Sequence, residues 1–132
     1  MSRIIKFRGK SRNGWIIGDL LHNRGKVYIS GPITGYDLEE RAAEFMWAEM
    51  KVQEVGGEPI NPMGLGLPDS ASWEQHMRHD ITLLLTCDGI IMLNGWENSK
   101  GARLEMDIAI SLGMPIRYLG KDGAIYHEEQ LS

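Results

Sequence analysis

CDGIIMLNGWENSKGARLEMDIAISLG, residues Cys87 to Gly113, divides into three parts. Ile90-Ile91-Met92-Leu93 is an unbroken apolar run, the pattern of a strand covered on both faces. Asn94 to Ser99 is a polar loop containing glycine. A mostly small or apolar helix then runs from Ala102 to Leu112, closed by Gly113 with Pro115 just beyond. Strand, loop and helix make half of a βαβ unit, and the loop falls at the carboxyl edge of the strand, where open α/β sheets bind ligands. Positions three and four apart on a helix share a face, so Glu105 lies with Ala102, Ala109 and Leu112. A carboxylate on a small-residue face near a helix N-terminus is unusual. Glu105 is the leading catalytic candidate.

On either side the same alternation continues. Lys26–Ser30 (KVYIS) reads as a central strand that runs into Ser30-Gly31-Pro32-Ile33-Thr34-Gly35. Asp37 with Glu40 has the spacing of a capping box, and Leu38, Ala42, Phe45, Glu49, Val52 and Val55 follow with roughly helical period up to Gly56-Gly57. Residues 58–62 form a short strand, followed by a Gly- and Pro-containing loop, Met63–Ala71, placed to serve as a lid or binding loop. Ser72 and Gln75 make a second capping box for a helix from Trp73 to about Thr86, with Trp73, Met77, Ile81 and Leu84 inward and Asp80 on or beside that stripe. Met114–Leu119 is the last predicted strand, and Gly120–Ser132 shows no clear element. Ahead of the domain, Arg3–Arg8 and Trp15–Leu20 around Asn13-Gly14 read as an edge hairpin. The expected fold is α/β: a doubly wound, Rossmann-like (flavodoxin-like) parallel sheet over residues 25–132, with right-handed crossovers and an N-terminal β-hairpin extension over residues 1–24.

The chain has 132 residues, 42% hydrophobic and 24% charged, which suits one domain with a single core. A net charge of −4 and a pI near 5.5 argue against a general nucleic-acid or anionic-membrane binder but leave room for one small ligand. The single cysteine, Cys87, can form no internal disulfide and is expected to be a buried structural thiol. With no apolar run of transmembrane length and no signal-like start, the expected location is cytoplasmic.

Several residues admit two readings. The SGPITG loop is either an anion-binding turn or a tight βα connection; it lacks the lysine of a P-loop and the spacing of a dinucleotide fingerprint. Tyr28 is either core packing or part of a site. Asp88 either caps local backbone or binds ligand. His76 and His79 have no metal-site spacing and are expected on a solvated helix face, so neither a metal nor a cofactor is expected. Asp80 and Glu105, on different helices that both reach the carboxyl edge, could divide the roles of acid and nucleophile.

Taken in order, Tyr28 to Gly35, then Asp80, then Ser99, Gly101 and Glu105, these residues resemble the nucleoside 2-deoxyribosyltransferases and the related Rcl-type deoxynucleotide N-glycosidases, in an uncharacterised phage and bacterial branch. The similarity runs from about Val27 to Gly113. It implies retaining transfer or hydrolysis at the N-glycosidic bond of a 2′-deoxynucleoside or deoxynucleotide, with Glu105 as nucleophile, Asp80 acting on the base and Tyr28 positioning Glu105 or the sugar. Ser30, Gly31, Gly35, Ser99 and Gly101 would hold the substrate, with Asp88 as a further candidate and Trp96 either stacking on the base or shielding its loop. It also implies a small-molecule nucleoside or nucleotide as partner and a homodimer or larger homo-oligomer. The monophosphate hydrolases carry arginines in the Gly-rich turn; here Thr34 and Asp37 stand nearby, and Arg41, one helical turn on, is the cation that would have to substitute. The alternative is a nucleotide-binding sensor without turnover, since fold does not fix function. The first twenty or so residues resemble the opening of phage YopX-type proteins, which hints at a phage or prophage origin.

Overall fold

A computed structural model describes residues 25–128. The expected hairpin at residues 1–24 lies outside the described residues. The elements are β1 (Lys26–Ser30), α1 (Leu38–Glu54), β2 (Glu58–Ile60), α2 (Trp73–Leu84), β3 (Gly89–Met92), a short 3₁₀ turn (Trp96–Asn98), α3 (Lys100–Ser111), β4 (Ile116–Leu119) and β5 (Ile125–Tyr126). They form a five-stranded sheet of order β2-β1-β3-β4-β5, parallel except for β5. That is the flavodoxin-like order, and its direction of winding reverses between β1 and β3.

Alternation along the strands sorts the core into two layers. On one face Val27 and Ile29 of β1 join Ile91 and Leu93 against Phe45, Ala48 and Val52 of α1. On the other, Tyr28 joins Ile90 and Met92 against Leu84 of α2 and Ala102 and Ala109 of α3. The central strands are buried on both sides, as their unbroken apolar runs require. Full burial of side chains such as Phe45 or Ile29 stabilises the fold by roughly 1.5–3 kcal/mol each relative to leaving them in water.

The caps follow the sequence closely. Ser72 and Gln75 form the full reciprocal capping box, whereas Asp37 accepts the Glu40 N–H (2.9 Å) without a return bond from the Glu40 side chain. α1 and α3 both end in Schellman turns: Gly57 N–H bonds Val52 C=O and Met114 N–H bonds Ala109 C=O. In each turn a glycine, Gly56 or Gly113, takes the left-handed φ that a Cβ would resist.

Three expectations need correction. The buried stripe of α1 is Arg41, Phe45, Ala48 and Val52, while Leu38 and Val55 are exposed. Leu112 is likewise exposed, so the inward face of α3 is Ala102, Glu105 and Ala109. The C-terminal region also carries a strand. β5 pairs antiparallel with β4 across a turn in which Asp122 accepts from Ala124 N–H and from the Tyr126 hydroxyl. The Asp122-Gly123 pair is a tight-turn signal that a two-residue strand is too short to reinforce.

Candidate active site

Tyr28 and Ser30 are two residues apart on β1, so both side chains leave the same face of the sheet, toward α3. Glu105 comes down from the second turn of α3 onto them. The Tyr28 hydroxyl donates to Glu105 Oε2 (2.8 Å) and the Ser30 hydroxyl donates to Oε1 (2.6 Å). Each carboxylate oxygen therefore has its own donor. Tyr28 is fully buried, and Glu105 is only 4% exposed.

Burial pushes the Glu105 carboxyl up to about 7, partly offset by the Ser30 and Tyr28 bonds and reinforced by the charge of Asp80. Burial, with Glu105 alongside, holds the Tyr28 hydroxyl well above its ordinary value, so it stays a donor. Asp80 is raised too, first by burial, while His79 and His76 pull it back. Its carboxylate contacts His79 Nδ1 at 3.4 Å.

These groups border a cavity of about 810 Å³ at the carboxyl edge of the sheet. The β1–α1 loop forms one wall with Gly31, Ile33, Thr34, Gly35 and Tyr36. The loop after β2 forms a second, from Pro62 to Ala71. The N-terminal turns of α2 and α3 complete it, and they meet where a Cβ on Gly101 would stand 3.0 Å from Met77 Sδ. The cavity thus sits where the winding reverses, the position at which this topology leaves a crevice between loops.

The fold brings Tyr28, Gly31, Gly35, Asp80, Ser99, Gly101 and Glu105 to this cavity. Ser30 stands behind it, its hydroxyl turned onto Glu105. Ser99 is also the N-cap of α3, its oxygen accepting the Ala102 N–H at 3.1 Å. Asp88 and Trp96 are not brought there. Asp88 precedes β3, at the opposite edge of the sheet, and accepts the Lys26 N–H at 2.9 Å. Trp96 packs against Tyr118, with ring centroids 6.3 Å apart. Arg41 does not line the cavity either: its Nε–H donates to Pro32 C=O (2.7 Å), and the guanidinium lies between the Tyr36 and Phe45 rings.

His76 and His79 are not on a solvated face. Both are half-buried and line the cavity, together with Trp73 and Met77. Trp73, His76, Met77 and Asp80 are spaced i, i+3, i+4, i+7, so the stripe that marks the core face also delivered His76. Lys100 joins the rim with its ammonium 4.1 Å over the Trp73 ring. Cys87 is half-buried, donates to Leu83 C=O, and its thiol is pushed up to about 11 by burial, which fits a structural role. Among the described residues no cluster of three or more His, Cys, Asp or Glu is placed to hold a metal, and no helix is long and apolar enough to cross a membrane.

Fold and site together describe a Rossmann-like α/β domain with a buried, hydrogen-bonded carboxylate in its ligand crevice. The chain belongs to the family described as "Domain of unknown function (DUF4406)", which it matches over residues 25–118. Among solved structures it is similar to a 2-deoxyribosyltransferase from the psychrotolerant bacterium Bacillus psychrosaccharolyticus, with TM-score 0.55 and 18% identity over 70% of each chain. At that identity the likeness concerns the fold. No curated protein matches.

Proposed function

We propose that this protein cleaves or transfers the N-glycosidic bond of a 2′-deoxynucleoside or deoxynucleotide through a covalent glycosyl-Glu105 intermediate. The observation that carries the reading is the Glu105 carboxylate, buried at the ligand crevice with one hydroxyl donor on each oxygen. A structural glutamate gains little from such a place, because burial disfavours its charge. A nucleophile gains orientation: Tyr28 and Ser30 hold the carboxylate in one plane before substrate arrives.

In the first half-reaction a Glu105 oxygen bonds to C1′ as the C1′–N bond breaks, through an oxocarbenium-like transition state. The electron pair of the broken bond goes to the base, and the Asp80 carboxyl protonates or orients that base. A sugar without a 2′-hydroxyl bears positive charge at C1′ more readily, which lowers this barrier. In the second half-reaction water or another nucleobase attacks C1′ and Glu105 departs as carboxylate. Attack from opposite faces in turn returns the original configuration. The Gly31–Gly35 loop and Ser99 would receive the 5′ end of the sugar.

The test is chromatographic detection of free base from a panel of deoxynucleosides and deoxynucleoside monophosphates, with Glu105→Ala alongside. Base release that vanishes in the variant is expected. Saturable binding without release, retained in Glu105→Ala, would overturn the reading and leave a nucleotide sensor.

A further inference from the structure

The cavity contains a titratable pair that the mechanism above uses only in part. Asp80 is largely enclosed, its side chain 14% exposed, whereas the adjoining His79 side chain is 31% exposed. Both line the cavity, and Nδ1 of the imidazole faces Oδ1 of the carboxylate at 3.4 Å. The other groups acting on Asp80 come from each element packed around it: His76 from α2, Tyr28 from β1 and Glu105 from α3. Tyr28 is committed to Glu105, and Glu105 must itself be an anion to attack. Asp69, Glu74 and Lys100 also border the cavity, and the Lys100 ammonium rests on Trp73. Only His79 is in hydrogen-bond contact with Asp80 among the described residues.

Resting on the reading of Glu105 as a nucleophile, we infer that His79 is a positioning and proton-reloading residue for Asp80, the pair forming the acid that serves the departing base. As the Glu105–C1′ bond forms and the C1′–N bond breaks, the base nitrogen keeps the electron pair and takes the Asp80 carboxyl proton. Asp80 is then a carboxylate. His79 takes one proton from solvent and holds it on Nδ1 against Oδ1, ready to return it to Asp80. Addition of water to the glycosyl-Glu105 ester later releases one proton to solvent. One proton enters and one leaves per turnover.

Burial raises the Asp80 titration and His79 lowers it, so without His79 the Asp80 proton is held to higher pH and the alkaline limb of the pH–rate profile moves up, while the rate falls for want of the reloading partner.

The experiment compares wild type, His79→Gln, Asp80→Asn and Glu105→Ala on two substrates. The purine of 2′-deoxyguanosine needs a proton to depart, whereas that of 7-methyl-2′-deoxyguanosine is already cationic and leaves without one. General acid catalysis contributes about 10²–10⁴-fold, and losing the reloading partner forfeits part of it. His79→Gln is expected to lower kcat at least tenfold on 2′-deoxyguanosine, with KM unchanged and the alkaline limb moved up. On the 7-methyl substrate His79→Gln is expected within about threefold of wild type, whereas Asp80→Asn loses rate on 2′-deoxyguanosine and Glu105→Ala is inactive on both. Equal losses on the two substrates, or no loss on either, would overturn the role of His79 while leaving Glu105 as nucleophile. Base release from both substrates by Glu105→Ala, or none by wild type from any deoxynucleoside or deoxynucleoside monophosphate, would instead overturn the glycosidic reading and this inference with it. Melting curves for each variant separate a loss of fold from a loss of chemistry.

Discussion

Replacing Tyr28 by Phe removes one oxygen atom and one hydrogen bond, the 2.8 Å bond to Glu105 Oε2, from the buried wall of the cavity. A hydrogen bond to a charged group is worth about 1.5–3 kcal/mol, and this one favours the ionised carboxylate. At about 1.4 kcal/mol per pH unit, its loss moves the Glu105 titration upward by about 1–2 pH units. The wild-type group titrates at about 7, so near neutrality roughly half of it is ionised. In Tyr28→Phe that share falls to about 1–10% at the same pH. If the anion is the nucleophile, kcat/KM at pH 7 drops about 5- to 50-fold, and much of the loss is recovered two pH units higher. The assay is a pH–rate profile of base release for both proteins. The acid limb, where activity is lost as pH falls through the Glu105 titration, is expected to move to higher pH in the variant. A fall in rate with the acid limb unmoved would refute the argument, because Tyr28 would then act on something other than the charge of Glu105.

Glu105→Gln tests the stability side of the same group. Its folded-state titration is raised from 4.5 to about 7, so the fold favours the neutral carboxyl. With respect to this group, wild-type stability is highest below about pH 4.5, declines up to about pH 7 and stays lower beyond, by roughly 3 kcal/mol. Urea melts should show Glu105→Gln more stable than wild type at pH 8 but not at pH 4; an equal difference at both would contradict the burial argument. Gly31→Ala would place a Cβ 2.9 Å from Leu93 Cβ. Such overpacking is expected to cost about 1–3 kcal/mol in a denaturant melt and to raise KM by displacing the cavity loop. Asp88→Ala removes the bond to Lys26 N–H far from the cavity. It should lower stability by about 1 kcal/mol and leave kcat/KM within about twofold; a large kinetic effect would return Asp88 to the substrate site.

Much of this could be read along the chain because it is local. The Ser72–Gln75 capping box, the glycines that end α1 and α3, and the double-sided burial of Ile90–Met92 each depend on residues a few positions apart. Tyr28 and Ser30 share a face by the two-residue period of a strand, and Glu105 shares one with Ala102 and Ala109 by the helical period. The placement of Asp88 was also legible, since a residue that precedes a strand lies at its amino edge, away from the loops that bind ligand.

Other placements depended on how separate elements meet. Nothing in the sequence near Ser30 says that its hydroxyl turns onto a carboxylate 75 residues away, nor that Arg41 seals itself between Tyr36 and Phe45 behind the loop. His76 and His79 look like surface histidines until the loop after β2 and the start of α3 close a cavity over them. The sequence alone determined the order of elements, their caps and the apolar faces that bury the sheet, because periodicity and capping act within a few residues. Tertiary structure alone decided which polar groups face one another inside the crevice. That pairing is set where the sheet reverses its winding, and there side chains far apart in the chain lose water together and must find partners among themselves.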